Sequence, residues 1–194
     1  MEAITRRDSV FTDSYEETNK IDDICVNIAF KNLNEVPKAI TRQFSKCATT
    51  LDLSQNYLTD LRSIESFTKL HTLIVDGNNL SSFIALNYVP NLRMLSVNDN
   101  NIENLSVFIK RLSEDCPRLK CLSMMKNTAA PSYFNGGTKE QNADYRAFVI
   151  SHFPLLENLD GNMVQQNEKE EAYQVYGRRW KISKKRHGSV ISSS

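Results

Sequence analysis

An α/β solenoid of stacked repeats, closed by a cap at each end, is the fold class this sequence predicts, and three observations predict it. Four segments share the spacing L-x-x-L-x-L-x-x-N-x-L. Their strand starts fall at residues 51, 73, 95 and 122, steps of 22, 22 and 27. The same spacing then begins once more, in DYRAFVISHFPLLENLDG (Asp144 to Gly161), and breaks off.

The copies are LDLSQNYLTDL (Leu51 to Leu61), LIVDGNNLSSF (Leu73 to Phe83), LSVNDNNIENL (Leu95 to Leu105) and LSMMKNTA from Leu122. Leu70, Leu92 and Leu119 stand three positions upstream of the last three, and Ala48 takes that place in the first. Each copy supplies a short Leu-x-Leu strand with inward leucines, then a turn, then a returning segment. One copy cannot bury its own leucines, whereas a stack can. The fold is therefore a leucine-rich repeat solenoid: a right-handed horseshoe with a parallel concave sheet and a helical or irregular convex side.

Taken in chain order, residues 1–20 read as a flexible N-terminus. Residues 21–47 read as an N-terminal cap and degenerate repeat, because VNIAFKNLNEV keeps Val26, Ile28, Leu33 and Val36 but has Lys31 where Asn is expected. This stretch is expected to be a half-capping turn. Residues 48–131 hold the repeats. A buried Asn at a fixed place (Asn56, Asn78, Asn100 and Asn127) must have its amide paired, which predicts a structural ladder rather than a catalytic role. The long step contains SVFIKRLSEDCPRL, whose Val107, Phe108, Ile109 and Leu112 suit a short amphipathic helix, with Pro117 restarting the chain.

Residues 132–163 form the C-terminal cap. An open stack end exposes leucines and an unpaired strand edge, so the terminal unit must be atypical. Phe148, Val149 and Phe153 are placed to cover the last leucines, and PLLENLDG imitates a repeat start and ends in a turn. Residues 164–180 read as a helix with Ala172, Tyr176 and Trp180 four apart on one face, packing on the cap. Residues 181–194 are a basic flexible tail. Six of the nine residues from Arg178 to Arg186 are Lys or Arg, so the net charge of +1 hides an acidic body. The tail suits an anionic membrane, a nucleic acid, a nuclear import receptor or plain solvation.

The cap motif, with Val164 and the Glu168–Glu171 run, resembles the 22-residue-period subclass of leucine-rich repeat proteins, which includes the phosphatase-1 regulatory repeat protein and the spliceosomal A-prime protein. Over roughly residues 30–175 the chain is similar to the leucine-rich melanocyte differentiation-associated family, through VPKAI, LDLSQNYLTDL, LSMMKNTAAP, YRAFVISHFPLLENLD and VQQNEKEEA. SYFNGGTKEQNA, both termini and the basic tail depart from that pattern. The resemblance implies an adaptor in melanocyte differentiation and melanosome-type organelle biogenesis, working with Rab-type small GTPases. The wider subclass implies the alternatives: a spliceosomal A-prime-like subunit or a phosphatase regulator.

Chemistry is mostly absent. The sequence has no G-x-S-x-G, H-E-x-x-H or kinase set, so an enzyme is not expected. Cys25, Cys47, Cys116 and Cys121 include no C-x-x-C, and His71, His152 and His187 are scattered, so neither a metal nor a cofactor is expected. FNGGTKE partly matches a phosphate loop but lacks its spacing and reads as a surface loop. There is no apolar run of transmembrane length and no signal-peptide core. The expected location is the cytoplasm, with the nucleus or an organelle membrane as alternatives.

What remains is surface. Residues flanking the inward leucines face the concave side. The predicted partner-binding set is Asp52, Ile74, Asp76, Met94, Ser96, Asn98, Asp99 and Met125, with apolar anchors for burial and acidic groups for steering. A protein partner, a small GTPase by resemblance, and a monomeric state are expected. Ser9 and Ser189 follow basic residues and are candidate phosphosites.

Overall fold

The computed structural model describes residues 23–84, 86–132 and 136–177. Seven strands form one sheet in chain order: β1 (Ile24–Asn27), β2 (Ala48–Asp52), β3 (Thr72–Ile74), β4 (Met94–Ser96), β5 (Cys121–Ser123), β6 (Asn158–Leu159) and β7 (Asn162–Met163). Pairing is parallel from β1 to β6 and antiparallel between β6 and β7. The fold is a right-handed leucine-rich repeat solenoid.

The register follows the leucine spacing. Val26, Leu51, Leu73, Leu95, Leu122 and Leu159 lie side by side across six strands, all buried. Ile28, Leu53, Val75, Val97 and Met124 form a second buried column. The upstream apolar residue closes a turn in each unit: the amides of Leu70, Leu92, Leu119 and Leu156 donate to the carbonyls of Phe67, Val89, Cys116 and Phe153. Shared register and burial make one continuous core, to which each unit adds a slice.

The N-terminal stretch is more than the half-capping turn that the sequence suggests. β1 is a full strand paired to β2, and its Val26 and Ile28 join the core. Lys31 is tolerated at the Asn place because Asn56, one unit on, accepts from the amides of Lys31 and Leu33 at 3.0 Å each. A helix, α1 (Lys38–Phe44), follows on the convex side. It has only seven residues, none of them buried, which is too short for its periodicity to be read from sequence.

The convex side is a 3-10 turn at Arg62–Ser66, an irregular segment after Ser81, and α2 (Leu105–Asp115). The helix occupies the long step. Asn104 caps its start, its side chain accepting from the Val107 amide at 3.1 Å, and Phe108, Ile109 and Leu112 are its buried face.

The cap begins with α3 (Lys139–His152). Thr138 and Gln141 bond each other's amides reciprocally and close its first turn. Tyr145, Val149, Ile150 and Phe153 are buried over the last repeat, whereas Phe148 stays half-buried and faces Tyr176 edge-on at 5.3 Å. β6 extends the parallel sheet by one short strand. The chain then reverses through Asp160 and Gly161, both with left-handed backbone (φ 54° and 79°), as a two-residue hairpin requires. Finally α4 (Gln166–Ala172) and a π-helical turn (Tyr173–Gly177) fold back onto α3. Ala172 is buried and the Tyr176 hydroxyl donates to Asp144, so this face packs on the cap. Trp180 lies outside the described residues, as do Ser9, Ser189 and the basic tail.

Candidate protein-binding face

The strands align the outward residues into rows. One row runs Cys25, Thr50, Thr72, Met94, Cys121 and Asn158; the next runs Asn27, Asp52, Ile74, Ser96 and Ser123. Neighbours in a row sit about one strand spacing apart, ~4.8 Å. Met94 is 40% exposed and Met125 47%, while Ile74 is half-buried. These three are the apolar groups of the predicted set.

The polar members behave differently, because most are engaged with one another. Asp52 accepts from the Ser54 amide at 2.9 Å and from the Asn27 side chain at 3.2 Å. Asp76 accepts from the Ser96 hydroxyl (2.7 Å), the Asn98 amide (2.8 Å) and the Asn98 side chain (3.2 Å). Asn98 in turn accepts from the Met125 amide at 2.7 Å and the Ser123 hydroxyl at 2.8 Å. This lateral ladder ties the strand ends together. Ser96 is only 6% exposed, so its hydroxyl belongs to the ladder and not to the open surface. Asp99 is exposed, in a left-handed column with Gln55, Gly77 and Lys126.

A second ladder lies beneath. Asn78, Asn100 and Asn127 accept from the amides of Leu58, Leu80 and Ile102 in the preceding unit, at 2.9–3.0 Å. Their side-chain NH₂ groups donate to carbonyls of their own and the preceding unit, as Asn100 does to Val97 and Val75. Asn56 follows the same plan with Ile28 and Leu53. All four are buried. The amides reinforce turns that backbone hydrogen bonds also link, as from the Asn79 amide to the Leu58 carbonyl at 3.0 Å.

Sequence reasoning missed the rim where the strands begin. His71, Arg93 and Lys120 each stand one residue before a strand and are linked in order: the Arg93 amide donates to the His71 carbonyl and the Lys120 amide to that of Arg93, both at 2.8 Å. Lys46, Lys69 and Arg118 flank them, exposed. The opposite rim carries Asp52, Asp76, Asp99 and Glu103, with Lys126 in the Asp99 column. The face is therefore polarised across its width. The signal was present in the aligned copies, where LHT, LRM and LKC occupy one place.

The Cys116 and Cys121 thiols are not activated. Burial pushes the Cys116 thiol up to about 12, and burial with nearby Glu157 raises that of Cys121. Both stay protonated thiols near neutrality. No group of three or more His, Cys, Asp or Glu is placed to hold a metal among the described residues. The glycine loop spends its Thr138 on helix capping. No helix of the described residues is long and apolar enough to cross a membrane.

The family model described as leucine-rich repeat matches residues 35–186, and the chain belongs to that family. It is 35% identical over 127 residues to the human leucine-rich melanocyte differentiation-associated protein, an alignment covering 63% of this chain and 64% of that protein. It is 28% identical over 146 residues to the probable U2 small nuclear ribonucleoprotein A′ of Caenorhabditis elegans, covering 74% of this chain and 52% of that one. The chain thus spans somewhat less than two thirds of the first relative and about half of the second. Among solved structures, a chain of the Drosophila melanogaster SNF/U2A′ complex matches with a TM-score of 0.65 at 20% identity, over 89% of this chain and 93% of that chain.

Proposed function

We propose that this protein is a non-enzymatic, monomeric protein-binding adaptor whose concave face, centred on Ile74, Met94 and Met125, seats a partner protein. One observation carries the reading: apolar side chains stand exposed on a face whose neighbouring carboxylates and amides are already bonded to each other. Burying such anchors under a partner releases apolar surface from water and leaves few polar groups unpaired. By likeness to the human relative the adaptor serves melanocyte differentiation and melanosome-type organelle biogenesis, with a Rab-type small GTPase as partner, in the cytoplasm or on organelle membranes.

A second reading follows from the likeness to the Caenorhabditis elegans U2 small nuclear ribonucleoprotein A′: a spliceosomal A-prime-like subunit in the nucleus. Affinity capture from lysate with mass spectrometry separates the two. The full chain is compared with Ile74→Arg/Met94→Arg, after thermal unfolding shows the variant folded. Loss of a Rab-type GTPase in the variant supports the trafficking adaptor. Loss of spliceosomal proteins instead moves the reading to the nucleus. Equal capture by both chains would sink the concave face as the site.

A further inference from the structure

We propose that the rim where the strands begin is a docking row for the chain's own acidic segment, Asp8 to Asp23. The row is built from Lys46, Lys69, Arg93 and Arg118. All four are exposed, and none takes part in the ion pairs found among the described residues. Arg118 reaches only the neutral Asn91 side chain, at 3.4 Å. Lys120, in the same row, is held by Glu157 at 2.7 Å, which shows that a carboxylate is accommodated there.

The segment is chosen by charge and by where the chain leaves the sheet. Residues 8–23 contain Asp8, Asp13, Glu16, Glu17, Asp22 and Asp23, against Lys20 as the one basic residue. Because the strands are parallel, β1 begins at the same rim as β2 to β5. Ile24 pairs with Ala48, and its carbonyl accepts from the Thr49 hydroxyl at 3.3 Å, so Asp23 emerges beside Lys46. From β1 to β5 the rim is about 19 Å long at ordinary strand spacing. The sixteen residues span up to roughly 50 Å when extended, so length is no obstacle. The opposite rim, with Asp52, Asp76, Asp99 and Glu103, repels the segment.

Exposed ion pairs are individually weak, but tethering holds the segment at an effective concentration in the millimolar range. Docking is therefore reversible and salt-sensitive. The rim at Arg93 borders Met94, so this inference goes beyond the partner reading.

Zero-length carbodiimide coupling of carboxylates to lysines, read by mass spectrometry on the full chain, tests the inference without any partner. Its failure is thus separate from failure of the capture experiment. The diagnostic product joins Glu16 or Glu17 to Lys69, since Asp23 lies near Lys46 in any case. It is expected at low salt, and to fall about tenfold in ~1 M salt, where the screening length shrinks to ~3 Å. The same fall is expected in Arg93→Glu/Arg118→Glu, which leaves the coupled lysine in place. The salt comparison on the unmodified chain stands even if that variant unfolds. Absence of the product, insensitivity to both changes, coupling to Lys181, Lys184 or Lys185 instead, or coupling only between isotopically distinct copies would each overturn it.

Discussion

The two ends of the solenoid meet the same physical demand in different ways. At the N-terminal end the repeat is simply thinned. The first unit keeps Val26, Ile28 and Val36 in the core but lacks the buried amide, and the next unit's Asn56 holds it by three hydrogen bonds. Phe30, left 73% exposed with φ 56°, shows how little covers that end among the described residues. At the C-terminal end a separate device is added. α3, the β6–β7 hairpin and α4 bury Tyr145, Val149, Ile150 and Phe153 over the last leucines. They are pinned by Tyr145 donating to Asp160 at 2.6 Å and by the two-point Arg146–Glu168 pair at 2.6 and 3.1 Å. The difference teaches that an edge can be closed by weakening the repeat or by covering it, and that covering demands buried polar pairing.

The largest expected effect breaks the covered end. Phe153→Ala removes a side chain buried at 2% and should cost about 3–5 kcal/mol in denaturant unfolding, with amide exchange rising in β5 and β6. An unchanged midpoint would mean the cap is not integral to the fold. Asn56→Ala tests the thin end. It strands the amides of Lys31 and Leu33 and should cost about 1–3 kcal/mol. Exchange should accelerate in β1 well before β4, and uniform acceleration would argue that the solenoid unfolds as one unit.

The smallest effect concerns the two carboxylates of the cap. Arg146 holds Glu168 below the ordinary glutamate range, so its contribution is present above that range and lost as pH falls through the depressed value. Burial pushes Asp160 up, against the hydrogen bonds from Met124 and Tyr145, so the ionised form carries a cost that protonation relieves. Glu168→Gln should therefore flatten the acid-side loss of stability, whereas Asp160→Asn should leave neutral-pH stability within about 1 kcal/mol. A large loss in Asp160→Asn would show that the hairpin needs the charge or the second accepting oxygen.

Much of this was legible in the chain because a solenoid repeats its instructions. The leucine spacing implied the strands, the register and the amide ladder, since each copy must bury the same atoms against the next. The cap was legible as a copy that stops. α1 was not, because in seven residues only Ile40 and Phe44, half-buried against the core, mark an inner face. β1 was underread because Lys31 broke the Asn pattern, while the hydrogen bonds that excuse it come from Asn56, twenty-five residues on.

The surface separates the two sources most clearly. Sequence alone determined which residues share a row, because period and strand alternation set it. Only the tertiary structure decided what those residues are free to do. Asp52, Asp76, Ser96 and Asn98 look like a free polar surface in the sequence, but Asp76, Ser96 and Asn98 bond one another across strands and Asp52 is taken up by Asn27 and Ser54. Lys46, Lys69, Arg93 and Arg118 look scattered but gather on one rim. The reason is geometric: hydrogen bonding and charge act over a few ångströms between neighbouring strands, and that proximity exists only once residues some twenty positions apart in the chain are laid side by side.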